Sequence, residues 1–231
     1  MRFADLNGDG RDDYLVIGDQ GQVKAWLNAG TGTGVAWTSI GDVATGAGGR
    51  DQLRFADLNG DGRDDYLVIG DQGQVKAWLN SGTGNQVTWT SQGEIATGVG
   101  AAGGTVFFAD INGDRRDDYL VMGEHGQIRA WLNNRGGDGS AWLSRGQIAS
   151  GVGHPGRQVE LAEINGDRRA DYLVLDDQGD VRAWFNNQAV DGPAPGNPPP
   201  MPDDPSPLPP GDNGSGPRVV IPLCVANRCP H

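Results

Sequence analysis

Cysteine is nearly absent: the 231 residues hold two, Cys224 and Cys229, both among the last eight. A disulfide-built scaffold is therefore excluded for the body of the chain. Histidine is as scarce, with His125, His154 and His231 falling in a turn, an inter-repeat loop and the C-terminal tail. No GxSxG and no HExxH string occurs, so neither a nucleophile elbow nor a helical zinc site is encoded. No apolar run is long enough to span a bilayer. No uninterrupted segment places apolar residues at 3.6-residue spacing over three turns, which argues against helix. Acidic residues outnumber basic ones 30 to 18, for a formal net charge of −12, and without a basic cluster this balance argues against a nucleic-acid surface.

What is abundant is glycine, with 39 residues beside 14 prolines, and repetition. Arg2 to Asn28 and Arg54 to Asn80 carry the same string, RFADLNGDGRDDYLVIGDQGQVKAWLN, and looser copies follow around Asp110 and Glu163. The acidic loop begins at Asp5, Asp57, Asp110 and Glu163, giving steps of 52, 53 and 53 residues. Periods of this size mark solenoids and propellers. Within a unit, FADL, DYLVIG, QVKAWLN and WTSIGDVATG read as four short strands separated by NGDG, DQG and Gly/Thr-rich turns. Units of this kind cannot bury both faces alone, so the reading is an all-β array of four-stranded propeller blades stacked face to face. The units span about 2–53, 54–106, 107–159 and 160–187.

The chemistry is concentrated in the turn between the first two strands. Counting Asp5 as position 1, DLNGDGRDD offers Asp5, Asn7 and Asp9 at positions 1, 3 and 5, the carbonyl of Arg11 at 7 and Asp13 at 9. Oxygen donors at every second residue converge when such a loop coils, and hard oxygens at that density suit Ca²⁺. Zinc would require Cys or His. The pattern recurs as Asp57, Asn59, Asp61, Arg63 and Asp65, then Asp110, Asn112, Asp114, Arg116 and Asp118, then Glu163, Asn165, Asp167, Arg169 and Asp171. It is not an EF-hand, because position 12 is Val16 and the loop joins two strands. The competing reading is a set of Asx turns, in which Asp and Asn side chains bond their own backbone. Against it stands the repulsion among carboxylates ionised at neutral pH. Four Ca²⁺ would bring +8 and leave a balance of about −4.

The four loops are not equivalent. Position 6 needs a sharp turn suited to glycine, supplied by Gly10 and Gly62 but replaced by Arg115 and Arg168 in the later copies. Glu163 lengthens the first ligand of loop four, and Ala170 replaces the additional Asp found at Asp12, Asp64 and Asp117. Loops one and two are expected to bind most tightly and loop four most weakly.

The DxNxDxRxD loop followed by DYLV, repeated about every 52 residues over residues 2–187, resembles the FG-GAP or VCBS-type repeat of integrin-α-like propellers. The resemblance implies a propeller, usually of seven blades, with Ca²⁺ in the loop between the inner two strands and the metal ligands at the positions named above. Some fungal lectins that resemble this family hold sugars between their blades, and an adhesin-like, integrin-type surface is a further reading. Loops that need Ca²⁺ at sub-millimolar to millimolar affinity are filled outside the cell, so a secreted protein is expected.

Seven tryptophans recur with the repeat: Trp26, Trp78, Trp131 and Trp184 in strand three, and Trp37, Trp89 and Trp142 at the start of strand four. They are either platforms for sugar rings or blade-to-blade core. Strand alternation puts Val23, Ala25 and Leu27 on one face and Lys24, Trp26 and Asn28 on the other.

After Asn187 the composition shifts. Residues 188–217 are Pro/Gly/Asp-rich and read as a disordered linker, and 218–231 form a short tail with both cysteines, open to a small disulfide or to weak metal binding. The chain opens at Met1 inside the first strand, and the strand-four signature appears three times for four loops. The expectation is part of a larger propeller; four self-closing blades, or half-rings pairing between chains, are the alternatives. The functional expectation is a non-catalytic, secreted calcium-binding module that recognises a glycan or an extracellular protein. The alternative is the accessory repeat region of a secreted hydrolase, such as an SGNH-type esterase, whose catalytic domain lies outside this chain.

Overall fold

The computed structural model describes residues 1–31, 34, 36–134, 142–151 and 158–187. The linker and the cysteine-bearing tail expected beyond residue 187 lie outside the described residues. Blade one consists of β1 (Arg2–Ala4), β2 (Asp13–Ile17), β3 (Val23–Asn28) and β4 (Trp37–Ala44). Blade two consists of β5 (Leu53–Ala56), β6 (Asp65–Ile69), β7 (Val75–Asn80) and β8 (Trp89–Ala96). Blade three has β9 (Val106–Ala109), β10 (Asp118–Met122), β11 (Ile128–Asn133) and β12 (Trp142–Ala149), and blade four has β13 (Val159–Ala162), β14 (Asp171–Leu175) and β15 (Val181–Trp184). Each is an antiparallel meander with strands in sequence order, and among the described residues there is no α-helix. The expected all-β propeller blades are thus present, the last with three strands among the described residues.

Strand identity follows from composition. The DYLVI segments are rich in β-branched and aromatic residues, and β6 and β10 are buried along their whole length, as strands packed on both faces must be. β3 shows the expected alternation, with Val23, Ala25 and Leu27 buried and Lys24 exposed. Where strand three pairs with strand four, the register slips twice in each complete blade. Gly41, Gly93 and Gly146 lie at these bulges with φ of +75°, +69° and +69°, a conformation glycine adopts without a Cβ clash.

The core is not inside the blades but between them. Ala4, Leu6, Leu15 and Val23 of blade one meet Leu53, Tyr66 and Val68 of blade two. The same set recurs between blades two and three, where Leu58, Leu67 and Val75 meet Val106, Tyr119 and Val121. Between blades three and four, Ile111, Leu120 and Ile128 meet Val159, Tyr172 and Val174. The face that meets the preceding blade is called the front here, and the opposite face the rear.

Polar contacts repeat in step with this packing. The hydroxyls of Tyr66, Tyr119 and Tyr172 donate to the carbonyls of Gly21, Gly73 and Gly126 in the preceding blade, each at 3.0 Å. The side-chain amides of Asn80, Asn133 and Asn186 donate to the carbonyls of Leu6, Leu58 and Ile111 at 2.8–2.9 Å. Main-chain N–H groups of Asp64, Asp117 and Ala170 donate to the carbonyls of Asp5, Asp57 and Asp110, each at 2.7 Å. Buried backbone acceptors between blades are satisfied in this way.

Candidate functional site: the acidic loops

The loops joining the first two strands of each blade share one conformation. In loop one, the carboxylate of Asp5 accepts the N–H groups of Gly8 (2.8 Å), Asp9 (3.3 Å) and Gly10 (2.7 Å). Asn7 Oδ1 accepts from Asp9 N–H at 3.1 Å, and Asp9 Oδ1 from Arg11 N–H at 3.0 Å. Asp13 anchors the far end: its fully buried carboxylate accepts the N–H of Leu6 at 2.9 Å and of Asn28 at 2.8 Å. Loop two repeats this through Asp57, Asn59, Asp61, Arg63 and Asp65. Loop three repeats it through Asp110, Asn112, Asp114, Arg116 and Asp118. In loop four, Glu163 Oε1 caps Asn165 and Gly166, Asn165 caps Asp167, Asp167 caps Arg169, and Asp171 holds Ile164 and Asn186. Positions 1, 3 and 5 thus share one coil in each loop, whereas position 9 is the first residue of the following strand, its carboxylate turned to buried N–H groups.

Position 6 behaves as the sequence predicts. Gly10 and Gly62 have φ of +78° and +82°, and Arg115 and Arg168 are forced to +72° and +69°, a region that costs a side-chain-bearing residue about 1–2 kcal/mol.

Electrostatics set the loops apart. The guanidinium groups of Arg11, Arg116 and Arg169 lie 2.6–2.8 Å from the carboxylates of Asp9, Asp114 and Asp167, and Arg169 holds Asp167 below the usual carboxylate range. In loop two, Arg63 turns away and donates to the carbonyls of Leu6 (3.1 Å) and Gly84 (3.4 Å). Burial, reinforced by the charges of Asp57 and Asp61, pushes Asp65 up to about 7. Asp118 is pushed up to about 7 by the same cause, with Asp114 and Asp110 adding to it. Burial likewise raises Asp13, Asp57 and Asp110.

Among the described residues, no three His, Cys, Asp or Glu side chains are gathered as a metal site; as they stand, the loops have the hydrogen bonding of Asx turns. The donor chemistry nevertheless fits a hard cation: carboxylate, amide and carbonyl oxygens only, with carboxylates raised first by burial and then by one another's charge. The residues that would hold Ca²⁺ are Asp5, Asn7, Asp9, the Arg11 carbonyl and Asp13, and their counterparts.

Two groups of residues have roles that loop spacing did not convey. Asp64 and Asp117 at position 8 accept the N–H groups of Asp5 and Asp57 in the preceding blade, at 2.8 and 3.0 Å. Burial, with the charge of Asp117 next, raises Asp64 well above the ordinary range, and burial pushes Asp117 up to about 7. Asn80, Asn133 and Asn186, at or just after the end of strand three, are the inter-blade donors described above; the recurrence of Asn at 28, 80, 133 and 186 was the available signal. The tryptophans resolve towards packing. Trp78 and Trp131 lie edge-on to Tyr66 and Tyr119, and the indoles of Trp89 and Trp142 donate to the carbonyls of Val43 (2.7 Å) and Ile95 (2.8 Å) in the preceding blade.

A groove of about 580 Å³ opens on blade two, lined by Asp71, Gln72, Gln74, Lys76 and Glu94 and by Ala47 and Gln52 of the segment leading into the blade. It lies by the turn joining strands two and three, at the end of the strands away from the acidic loops. No helix among the described residues is long and apolar enough to cross a membrane.

A family model described as an FG-GAP-like repeat matches three times, over residues 5–68, 57–121 and 110–174. Among curated proteins none matches. Of solved structures, an Agrocybe aegerita lectin that recognises non-reducing terminal N-acetylglucosamine is 26% identical with a TM-score of 0.49, and the match covers 83% of this chain and 50% of that one. The Photorhabdus luminescens Tc holotoxin pore matches with 19% identity and a TM-score of 0.53, over 82% of this chain and 9% of that one. This chain therefore spans at most half the length of these structures.

Proposed function

The chain belongs to the FG-GAP-like repeat family, and from that premise we propose that it is a non-catalytic, calcium-stabilised recognition module acting outside the cell. The observation that carries this reading is the recurrence of one acidic loop in all four blades, at the same end of each sheet, with oxygen as its only donor atom. Ca²⁺ bound there supplies positive charge that neutralises the converging carboxylates. The chain's own residues do the rest. Asp13 and its counterparts tie the loop to strand three, and Asp64 and Asp117 tie it to the neighbouring blade, so that filling a loop stiffens an interface. Loop two, whose Arg63 leaves Asp61 without an ion pair among the described residues, binds at least as tightly as loop one. The partner is a glycan, held in the groove on blade two, where amide, carboxylate and ammonium groups suit sugar hydroxyls.

Calorimetric titration of the metal-free protein tests the first half. Two or more stoichiometric Ca²⁺ and a melting temperature that climbs with calcium, as linkage requires, are expected, and Asp61→Ala should remove one site. Unchanged stoichiometry in that variant would refute the ligand assignment, and a folded protein that takes up no calcium would leave the loops as Asx turns. For the second half, binding on a glycan panel should weaken in Gln72→Ala and Lys76→Ala while the melting curve stays put; capture of proteins alone would shift the reading to an adhesin-like surface.

A further inference from the structure

The acidic loops of adjacent blades touch, the rear of each against the front of the next. The main chain of Asp5, the first residue of loop one, is held by a single residue of loop two: its N–H donates to the carboxylate of Asp64 at 2.8 Å, and its carbonyl accepts the N–H of Asp64 at 2.7 Å. Asp57 and Asp117 make the same exchange between loops two and three, at 3.0 and 2.7 Å. Side chains close these joints as well. The stem of Arg63 lies so near Gly8 that a Cβ there would stand 3.2 Å from the arginine Cγ, and Arg116 and Arg169 approach Gly60 and Gly113 in the same way at 3.3 Å. Arg63 also donates to the carbonyl of Leu6 at 3.1 Å. The joint between loops three and four departs in one group. The N–H of Ala170 still donates to the carbonyl of Asp110 at 2.7 Å, but alanine has no carboxylate to offer the N–H of Asp110.

Asp64 stands between Arg63, whose carbonyl is position 7 of loop two, and Asp65 at position 9, as Asp117 stands between Arg116 and Asp118. The residue that fixes Asp5 is therefore part of the segment that must be in place for loop two to close on an ion. We propose that loops one, two and three take up calcium cooperatively, with Asp64 and Asp117 as the positioning residues that pass order from each loop to the next, and that Ala170 leaves loop four weakly coupled. This rests on the loops being calcium sites and adds a relation between them. With its carboxylate engaged by a cation, Asp5 holds its main chain still, and its two hydrogen bonds then hold Asp64 and the ligand positions on either side of it. Loop two is thus partly ordered before its own ion arrives, so binding there restrains fewer freely moving groups. Coupling of this kind is reciprocal, and a filled loop two favours loop one by the same factor.

A calcium titration of the full chain followed by amide NMR tests this. The N–H groups of Gly10, Gly62 and Arg115 each donate to the position 1 carboxylate of their own loop at 2.7–2.8 Å, and that of Gly166 donates to Glu163 at 2.6 Å, so every loop reports separately. Asp61→Ala silences loop two; the calcium midpoints of loops one and three should then rise about tenfold, while that of loop four barely moves. With Asp64→Ala also present, silencing loop two should lose most of its effect on loop one and keep its effect on loop three, which runs through Asp117, whereas a general effect of lost charge would alter both alike. Ala170→Asp is the reverse exchange and removes no buried group. It should make loop four respond to Asp114→Ala in loop three as loop three responds to Asp61→Ala. Midpoints that Asp61→Ala leaves in place, a neighbour that binds more tightly once loop two is silenced, or a loop-one response that survives Asp64→Ala would overturn the coupling and leave the calcium sites standing. A folded chain whose loop resonances no calcium concentration shifts would overturn both.

Discussion

Arg115 and Arg168 are the residues most at odds with their backbone. Both sit where loops one and two have glycine, with φ near +70°, and removal of the Cβ relieves more strain than the added chain entropy of glycine costs. Arg115→Gly should therefore stabilise the protein by up to about 1 kcal/mol, read as a higher denaturation midpoint with unchanged slope. Asp65 is the opposite case. Its carboxylate is the acceptor for two buried N–H groups, those of Leu58 and Asn80, so Asp65→Ala strands both at a cost of about 3 kcal/mol or more. The same change at the exposed Asp61 should cost far less in chelator and appear mainly as a lost calcium response. Melts of the two variants with and without calcium separate the position that also anchors the fold from the one that serves the ion alone.

At the level of the strands, second-strand tyrosines knit each blade to the one before. Burial raises Tyr66 and Tyr119 and pushes Tyr172 up to about 12. The unfolded chain releases a phenol proton near pH 10, whereas the folded chain retains it. Stability is therefore complete below about pH 10 and declines as pH rises from there towards 12. Urea midpoints at about pH 9 and about pH 11 should differ in the wild type and differ less in Tyr172→Phe, which at neutral pH loses only about 1 kcal/mol with its bond to Gly126. Strand positions and loops were legible beforehand because DYLVI and the spacing of Asp5, Asn7 and Asp9 are local patterns, written four times. The roles of Tyr66, Asn80 and Asp64 were not, because each bonds a carbonyl or N–H some 45 to 75 residues away, and no local periodicity specifies a partner at that distance. The tryptophans were ambiguous for a related reason: alternation assigns Trp26 a face, but both faces of a blade meet something.

For the molecule as a whole, stability is a sum over neighbouring blades, and the duplicated block gives an internal control. Val16 and Val68 occupy the same place in the same 27-residue string, yet only Val68 has a blade against it. Val68→Asp should destabilise by more than about 3 kcal/mol, whereas Val16→Asp should change stability by less than about 0.5 kcal/mol; chemical denaturation of both variants provides the comparison. Because the three inter-blade contacts use the same kinds of residue at the same places, the array is expected to tolerate a change of copy number. Deleting residues 54–106 would bring blade one against blade three through the contacts it now makes with blade two, and duplicating them would insert a blade without any new kind of interface. A loss of ten residues would break that succession, while a loss of one whole period would leave a shorter protein of the same design. Unequal recombination between the two identical segments is thus a route by which the length of this protein changes in steps of a blade.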